Sequence, residues 1–347
     1  MKLKITRELD EIWETMELLN MYCNPEMYTK EKYDQNLLEY GMKGSKLLED
    51  AYFLTERYFE AFSEKAVVSE EDSFFFSNKD AVFGTSLHLI FGLLFHANTT
   101  WLDGLSDVLE VDIRDALAEA LLFEQTPTSA SQVIAYLNEN EVGLSPELCW
   151  KITLVFEKPK VYVEKYLNVL HKNLDAFHFA IHAMKKDVDI LLDQFMNMKE
   201  ETFIEEIRKV ATFLPEGEIE VCPAMATVGG IVCAENTVYM GLCYPEICKY
   251  LNQLNEPQED IAPILKVLGD NSKFEILKLL RKAPSYNLEI AKHLGITPAT
   301  ASHHMNVLFG LGLVSMEKIN KKAMYTANEE MLRKVMDGME RAFEMIR

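Results

Sequence analysis

Ile296-Thr297-Pro298-Ala299-Thr300-Ala301-Ser302-His303-His304-Met305-Asn306-Val307-Leu308, followed by Gly310-Leu311-Gly312-Leu313-Val314, is the stretch on which the reading of this chain turns. Thr297 is an N-cap type and Pro298 suits the first helical position, where its missing N–H costs nothing. The helix they open runs to about Leu311, with Met305, Val307, Leu308 and Leu311 on its core side. Its first two turns carry small polar residues, so this helix can come close to a partner surface. Just upstream, Leu288–Leu294 is a second helix stopped by Gly295, the residue that best tolerates a left-handed cap. Further back, Ser272 caps Lys273–Lys282, Pro284 stops it, and Ile264–Gly269 is a short apolar helix. Downstream, Val314–Ile319 and Ala323–Ala327 are strands joined by Asn320-Lys321-Lys322. An amphipathic helix then fills Glu329–Ile346.

Two helices joined by a tight turn, then a β-wing, form a DNA-reading module. Leu288–Leu294 crosses the duplex backbone and the following helix presents its first turns to the major groove. Thr297, Ala299, Thr300, Ser302 and His303 form that face: hydroxyls for phosphates or base edges, and an imidazole that can donate to guanine or phosphate. Lys318, Lys321 and Lys322 put cations on the wing. His304 lies about 100° from His303 on the helix and takes an internal packing or hydrogen-bonding role.

The segments Ile264-Leu265-Lys266-Val267-Leu268-Gly269-Asp270-Asn271-Ser272-Lys273-Phe274-Glu275-Ile276-Leu277 and Ala299–Leu308 with Gly310–Val314 resemble the opening, recognition helix and wing entry of ArsR-type regulators. The resemblance covers about 85 residues. It implies a homodimer joined through the first and last helices of the module, an operator of double-stranded DNA, and a small-molecule effector of unknown identity that weakens operator binding. Lys273 stands where that family often has Arg, and Met305 where it often has Leu. The Leu288–Leu294 helix carries no Cys and Glu329–Arg347 no His, so the family's two metal-sensing positions are not reproduced.

Charge supports the same division. Of 347 residues, 35 are Lys or Arg and 55 Asp or Glu, a formal −20 that taken whole speaks against a polyanion partner. Residues 261–347 hold 13 basic and 9 acidic side chains, so +4; the remaining 22 and 46 leave −24. An acidic body thus carries a mildly basic module. With 48% hydrophobic and 26% charged residues, disorder and collagen-like sequence are excluded. The fold class expected is mainly α: a helical N-terminal domain with a small β-hairpin, residues 1–256, and a winged helix-turn-helix, residues 257–347.

Within the body, Glu11–Leu19, Glu31–Phe62 (interrupted near Gly41 and Gly44) and Asp112–Phe123 have helical spacing. Ser145-Pro146-Glu147 starts a helix that Pro159 ends, and a longer helix is expected from Val161 to Met198. Glu218–Cys222, Gly230–Ala234 and Thr237–Leu242 read as strands, with Glu235-Asn236 as a two-residue turn. Tyr250–Asp260 is a polar linker. His171, His178 and His182 would share one stripe of the long helix near Asp175, a metal candidate set against a solvated core rim. Cys222, Cys233, Cys243 and Cys248 cluster without a zinc spacing, which favours buried thiols over a redox sensor. Phe74–Phe76, Phe83, Phe91, Phe95 and Trp101 are core residues or the lining of an apolar pocket. No nucleotide-loop, nucleophile-elbow or zinc-protease motif occurs, so no enzyme, no catalytic residue and no cofactor is expected. Ala81–Ala97 is too short and polar for a membrane span. The absence of a secretory signal, with unpaired Cys, points to the cytoplasm. The alternative is a ligand-binding protein or enzyme that uses the winged helix for interaction, or a metal or thiol-redox sensor.

Overall fold

The computed structural model describes residues 2–39, 46–77, 86–121, 123, 125–139, 145–210, 217–227, 229–234, 236–247, 262–319 and 322–343. The chain divides into two compact units, Met1–Tyr28 with Ala51–Tyr244, and Thr29–Asp50 with Pro245–Arg347. The described residues are mainly helical, with two small sheets. No described helix is long and apolar enough to cross a membrane. Gly41, Gly44, Phe83, Glu235, Cys248, Tyr250–Asp260 and Lys321 fall outside the described residues.

The first unit is built around aromatic side chains. Tyr166 is fully buried on the helix Pro159–His171. Its ring stacks on Phe91 at 4.7 Å, on Phe76 at 5.6 Å and on Phe95 at 5.8 Å, and meets Phe75 edge-on at 5.2 Å. Of the aromatic run of the sequence, Phe75, Phe76, Phe91, Phe95 and Trp101 are therefore core, and Phe74 is half-buried. Ser145 caps Pro146–Glu157 as its sequence requires, its hydroxyl accepting from the Leu148 N–H at 3.2 Å.

The long helix expected over Val161–Met198 is three helices, Pro159–His171, Leu174–Ala183 and Lys185–Met196. Pro159 opens the first of these at N1. The first break sits at Asn173, fully buried, whose side chain accepts from the Val67 N–H at 2.7 Å and donates to the carbonyls of Val67 at 3.1 Å and Val169 at 2.8 Å. A buried amide that satisfies a distant loop displaces the helical continuation.

The β-hairpin of the sequence belongs to a larger sheet of order β1-β2-β4-β3, made of β1 (Lys2–Ile5), β2 (Glu218–Ala224), β3 (Ile231–Ala234) and β4 (Thr237–Gly241). β3 and β4 pair antiparallel, with Ala234 opposite Thr237, so the connection is the expected two residues. β1 and β4 flank β2 in parallel. Lys2 bonds Glu218, and Lys4 bonds Glu220 at 2.7 Å, on the exposed face.

Aromatic stacking and two carboxylates fasten the sheet to the helix Glu11–Cys23. Trp13 stacks on Tyr239 of β4 at 4.0 Å, and the Tyr239 hydroxyl donates to Asp10 at 2.9 Å. Glu14 is fully buried: its carboxylate accepts from the N–H groups of Met225 at 2.7 Å and Ala226 at 2.9 Å and from the Tyr58 hydroxyl at 3.0 Å. Burial pushes its pKa up to about 7 against the pull of those three donors.

In the second unit, the helices Ala262–Leu268, Asn271–Leu280, Asn287–Leu294, Pro298–Gly310 and Glu329–Ala342 surround one apolar core. Ile276, Ile290, Ala301, Met305, Val307, Leu308 and Leu313 have no exposed surface. The cap of Asn271–Leu280 is Asp270, two residues before the expected Ser272; its carboxylate accepts from the Lys273 N–H at 2.9 Å. The wing is a three-stranded sheet of order β5-β7-β6, in which β5 (Ser285–Tyr286) adds to the expected pair β6 (Val314–Ile319) and β7 (Lys322–Ala327). β7 begins one residue earlier than its sequence suggests, because Lys322 pairs with Ile319.

Candidate nucleic-acid interface

The turn between the helices Asn287–Leu294 and Pro298–Gly310 is set by local chemistry. Glu289 accepts from the Tyr286 N–H at 2.9 Å and so holds the start of the first helix. Gly295 ends it with φ +69°, and the Ile296 N–H returns to the Ala291 carbonyl at 3.1 Å. Thr297 is extended, and its hydroxyl oxygen accepts from the Thr300 N–H at 3.1 Å. The Thr297 and Thr300 hydroxyls lie 2.9 Å apart and share a hydrogen bond.

A Cβ added at Gly295 would meet nothing within 4 Å, so only the backbone conformation resists substitution. Gly295→Ala is expected to cost the module about 1–2 kcal/mol. A lowered urea midpoint checks this, and an unchanged midpoint contradicts it.

The second helix has two sides. Ala301, Met305 and Leu308 recur at helical spacing and are fully buried. Thr297 and Thr300 are exposed, and Ser302 and His303 half-buried, away from that stripe. Position 299 precedes 302 and 303 by three and four residues, and position 306 follows them by the same intervals, so all four share one stripe. His303 and His304 lie with ring centroids 6.0 Å apart and planes inclined by 51°. On the wing, Lys318 pairs with Ala323 and Lys322 with Ile319, so the two lysines hold successive rungs.

The other candidate groups are not brought together. His171 ends one helix while His178 and His182 lie on the next, which breaks the expected common stripe. His178 faces Glu11 at 3.1 Å. Cys222 on β2 and Cys233 on β3 are separated by β4. Cys222 and Cys243 are buried, whereas Cys233 is exposed, contrary to the expected burial. Among the described residues, no group of three or more His, Cys, Asp or Glu is arranged to hold a metal ion.

A capped recognition helix with a polar stripe off its core side, a second helix joined to it by a tight turn, and a β-wing define a DNA-binding transcriptional regulator of the winged-helix class. Residues 270–316 match the family described as bacterial regulatory protein, arsR family. An arsenical resistance operon repressor of Staphylococcus xylosus is 38% identical over 74 residues, 21% of this chain and 71% of that protein. One from Staphylococcus aureus is 31% identical over 81 residues, 23% of this chain and 78% of that protein. No solved structure matches. The chain belongs to the ArsR family.

Proposed function

We propose that this chain is a homodimeric repressor-type regulator whose residues 257–347 occupy a pseudo-palindromic operator and whose residues 1–256 sense an effector or hold a partner. The observation that carries this reading is that Thr297 and Thr300 are exposed and Ser302 and His303 half-buried in the first two turns of the recognition helix, whose Ala301, Met305 and Leu308 are fully buried. Two such helices in a symmetric pair would sit about 34–36 Å apart, one duplex turn. Thr297, Ala299, Thr300, Ser302 and His303 read the groove, and Lys318, Lys321 and Lys322 neutralise phosphate. The output is occupancy of DNA in the cytoplasm, with no bond made or broken. A small-molecule effector would act by preferring one dimer geometry over the other.

The direct test is retardation of duplex DNA in low salt. No retardation of any duplex overturns the reading. The wing adds a quantitative check: Lys318→Ala with Lys322→Ala is expected to weaken all duplexes alike. The slope of log K against log salt should become shallower by about two, one for each phosphate that no longer meets a lysine. An unchanged slope removes these lysines from the interface.

A further inference from the structure

Two glutamates one turn apart on the helix Glu11–Cys23 have opposite surroundings. Glu14 is fully buried and its carboxylate accepts from three donors, the N–H groups of Met225 and Ala226 and the Tyr58 hydroxyl. Glu17 has none. Among the described residues its one polar contact is His88, whose Nε2 lies 3.8 Å from Oε1, beyond hydrogen-bond reach. A carboxylate withdrawn from water without a donor is costly. Burial, and then Glu14, push the pKa of Glu17 up to about 7.

Glu17 is nevertheless reachable. On the same helix face Glu14, Asn20 and Met21 are 0%, 7% and 4% exposed, whereas the Glu17 side chain keeps 16%. Accessibility kept among closed neighbours marks a crevice that reaches the carboxylate.

His88 forms the facing wall. It is 3% exposed, and its ring lies against Phe76 with centroids 6.0 Å apart. Burial pushes its pKa down to about 3, so the imidazole is neutral and is no counter-ion for Glu17. Ser86 occupies the N-cap position of the helix Leu87–Ala97, yet its side chain makes no cap bond. Its hydroxyl lies instead 2.9 Å from Nδ1 of His88 and 3.5 Å from Nε2. With Nδ1 engaged by Ser86, Nε2 is the ring nitrogen turned to Glu17.

A single nitrogen placed between Oε1 and Nε2 can lie about 2.8 Å from both. An ammonium group suits that place: it brings N–H donors for two acceptors and the positive charge that the carboxylate lacks. A metal ion does not, because one carboxylate and one imidazole leave its ligand set incomplete, and no group of three or more metal-ligating side chains occurs among the described residues. The excess of acidic over basic residues draws cations toward the protein.

We propose that Glu17 and His88, with Ser86 orienting the imidazole and Phe76 behind it, bind a small organic ammonium in the first unit. This deepens the sensing role proposed for residues 1–256 and rests on that reading only for its effect on DNA.

Calorimetric titration of the full chain with n-butylammonium chloride, to about 10 mM, tests the site; a ligand of five heavy atoms fills a matched site in that range. Butan-1-ol, the uncharged analogue, and potassium chloride are the controls. The wild type should bind butylammonium saturably and neither control. Glu17→Gln keeps the size and drops the charge, and should weaken binding at least about tenfold. Ser86→Ala should weaken it about fivefold, the effect of one lost hydrogen bond. Should Glu17→Gln fail to fold, Ser86→Ala decides, since it removes no cap.

No saturable binding by the wild type overturns the proposal. So does undiminished binding by the folded variants, or equal binding of butan-1-ol or potassium chloride. In a second step, saturating butylammonium should change the affinity of the wild type for a duplex that it selects from a random pool by at least about fivefold. Binding without that change upholds the site and overturns the sensing role. A wild type that selects no duplex is a failure of the DNA-binding reading, separable because the titration uses no DNA.

Discussion

Tyr166→Ala is expected to cost the first unit about 3–5 kcal/mol, the range for removing a large buried ring. The total stability of a domain is about 5–15 kcal/mol, so this single change consumes a large share of it. The magnitude follows from the ring's position: fully buried, it packs on Phe75, Phe76, Phe91 and Phe95 from two other helices. Its hydroxyl donates to the His88 carbonyl at 3.4 Å, and burial raises its pKa well above the ordinary phenol value, so it stays a donor. Tyr166→Phe removes only that long hydrogen bond and is expected to cost about 1 kcal/mol or less. Urea unfolding of the two variants separates stacking from hydrogen bonding. Equal midpoints would show that the aromatic cluster is not what holds this unit.

The second large effect is on DNA. Ser302→Ala with His303→Ala is expected to weaken a duplex that the wild type selects from a random pool by about 1.5 to 4 powers of ten, two contacts at about 1–3 kcal/mol each. Unfolding should move by less than about 0.5 kcal/mol, because alanine is the best helix former and both positions lie off the buried stripe. Affinity for unrelated duplexes, which phosphate contacts dominate, should hardly move. Undiminished affinity for the selected duplex would remove this face from the interface. Lost stability would instead place the two side chains in the core.

The winged helix is legible from sequence because its punctuation is local. Thr297, Pro298 and Gly295 each act within four residues, and the structure uses all three as expected. Ser272 is misread as the cap of Asn271–Leu280 because Asp270 offers the same chemistry two residues earlier, and only the backbone register separates them. The body is less legible because its decisive contacts are remote. Asn173 interrupts a stretch whose apolar spacing stays helical, and the reason lies 106 residues away at Val67. Lys2-Leu3-Lys4-Ile5 alternates in the manner of a strand, but four residues are too few to claim one without the partner. The polar first turns of the recognition helix are legible in the same way, because Thr297, Thr300, Ser302 and His303 alternate with the buried Ala301 and Met305 within nine residues.

Pairing of Lys2–Ile5 beside Glu218–Val221 sets an order of events at the ribosome. The two ends of that pairing are 216 residues apart. At about 5–20 residues per second, the leading tetrapeptide waits roughly 10–40 seconds for its neighbour to be translated. During that interval it is an unmatched edge on a nascent polypeptide, open to chaperones. Closure of the acidic body therefore falls late in synthesis, shortly before the winged helix emerges.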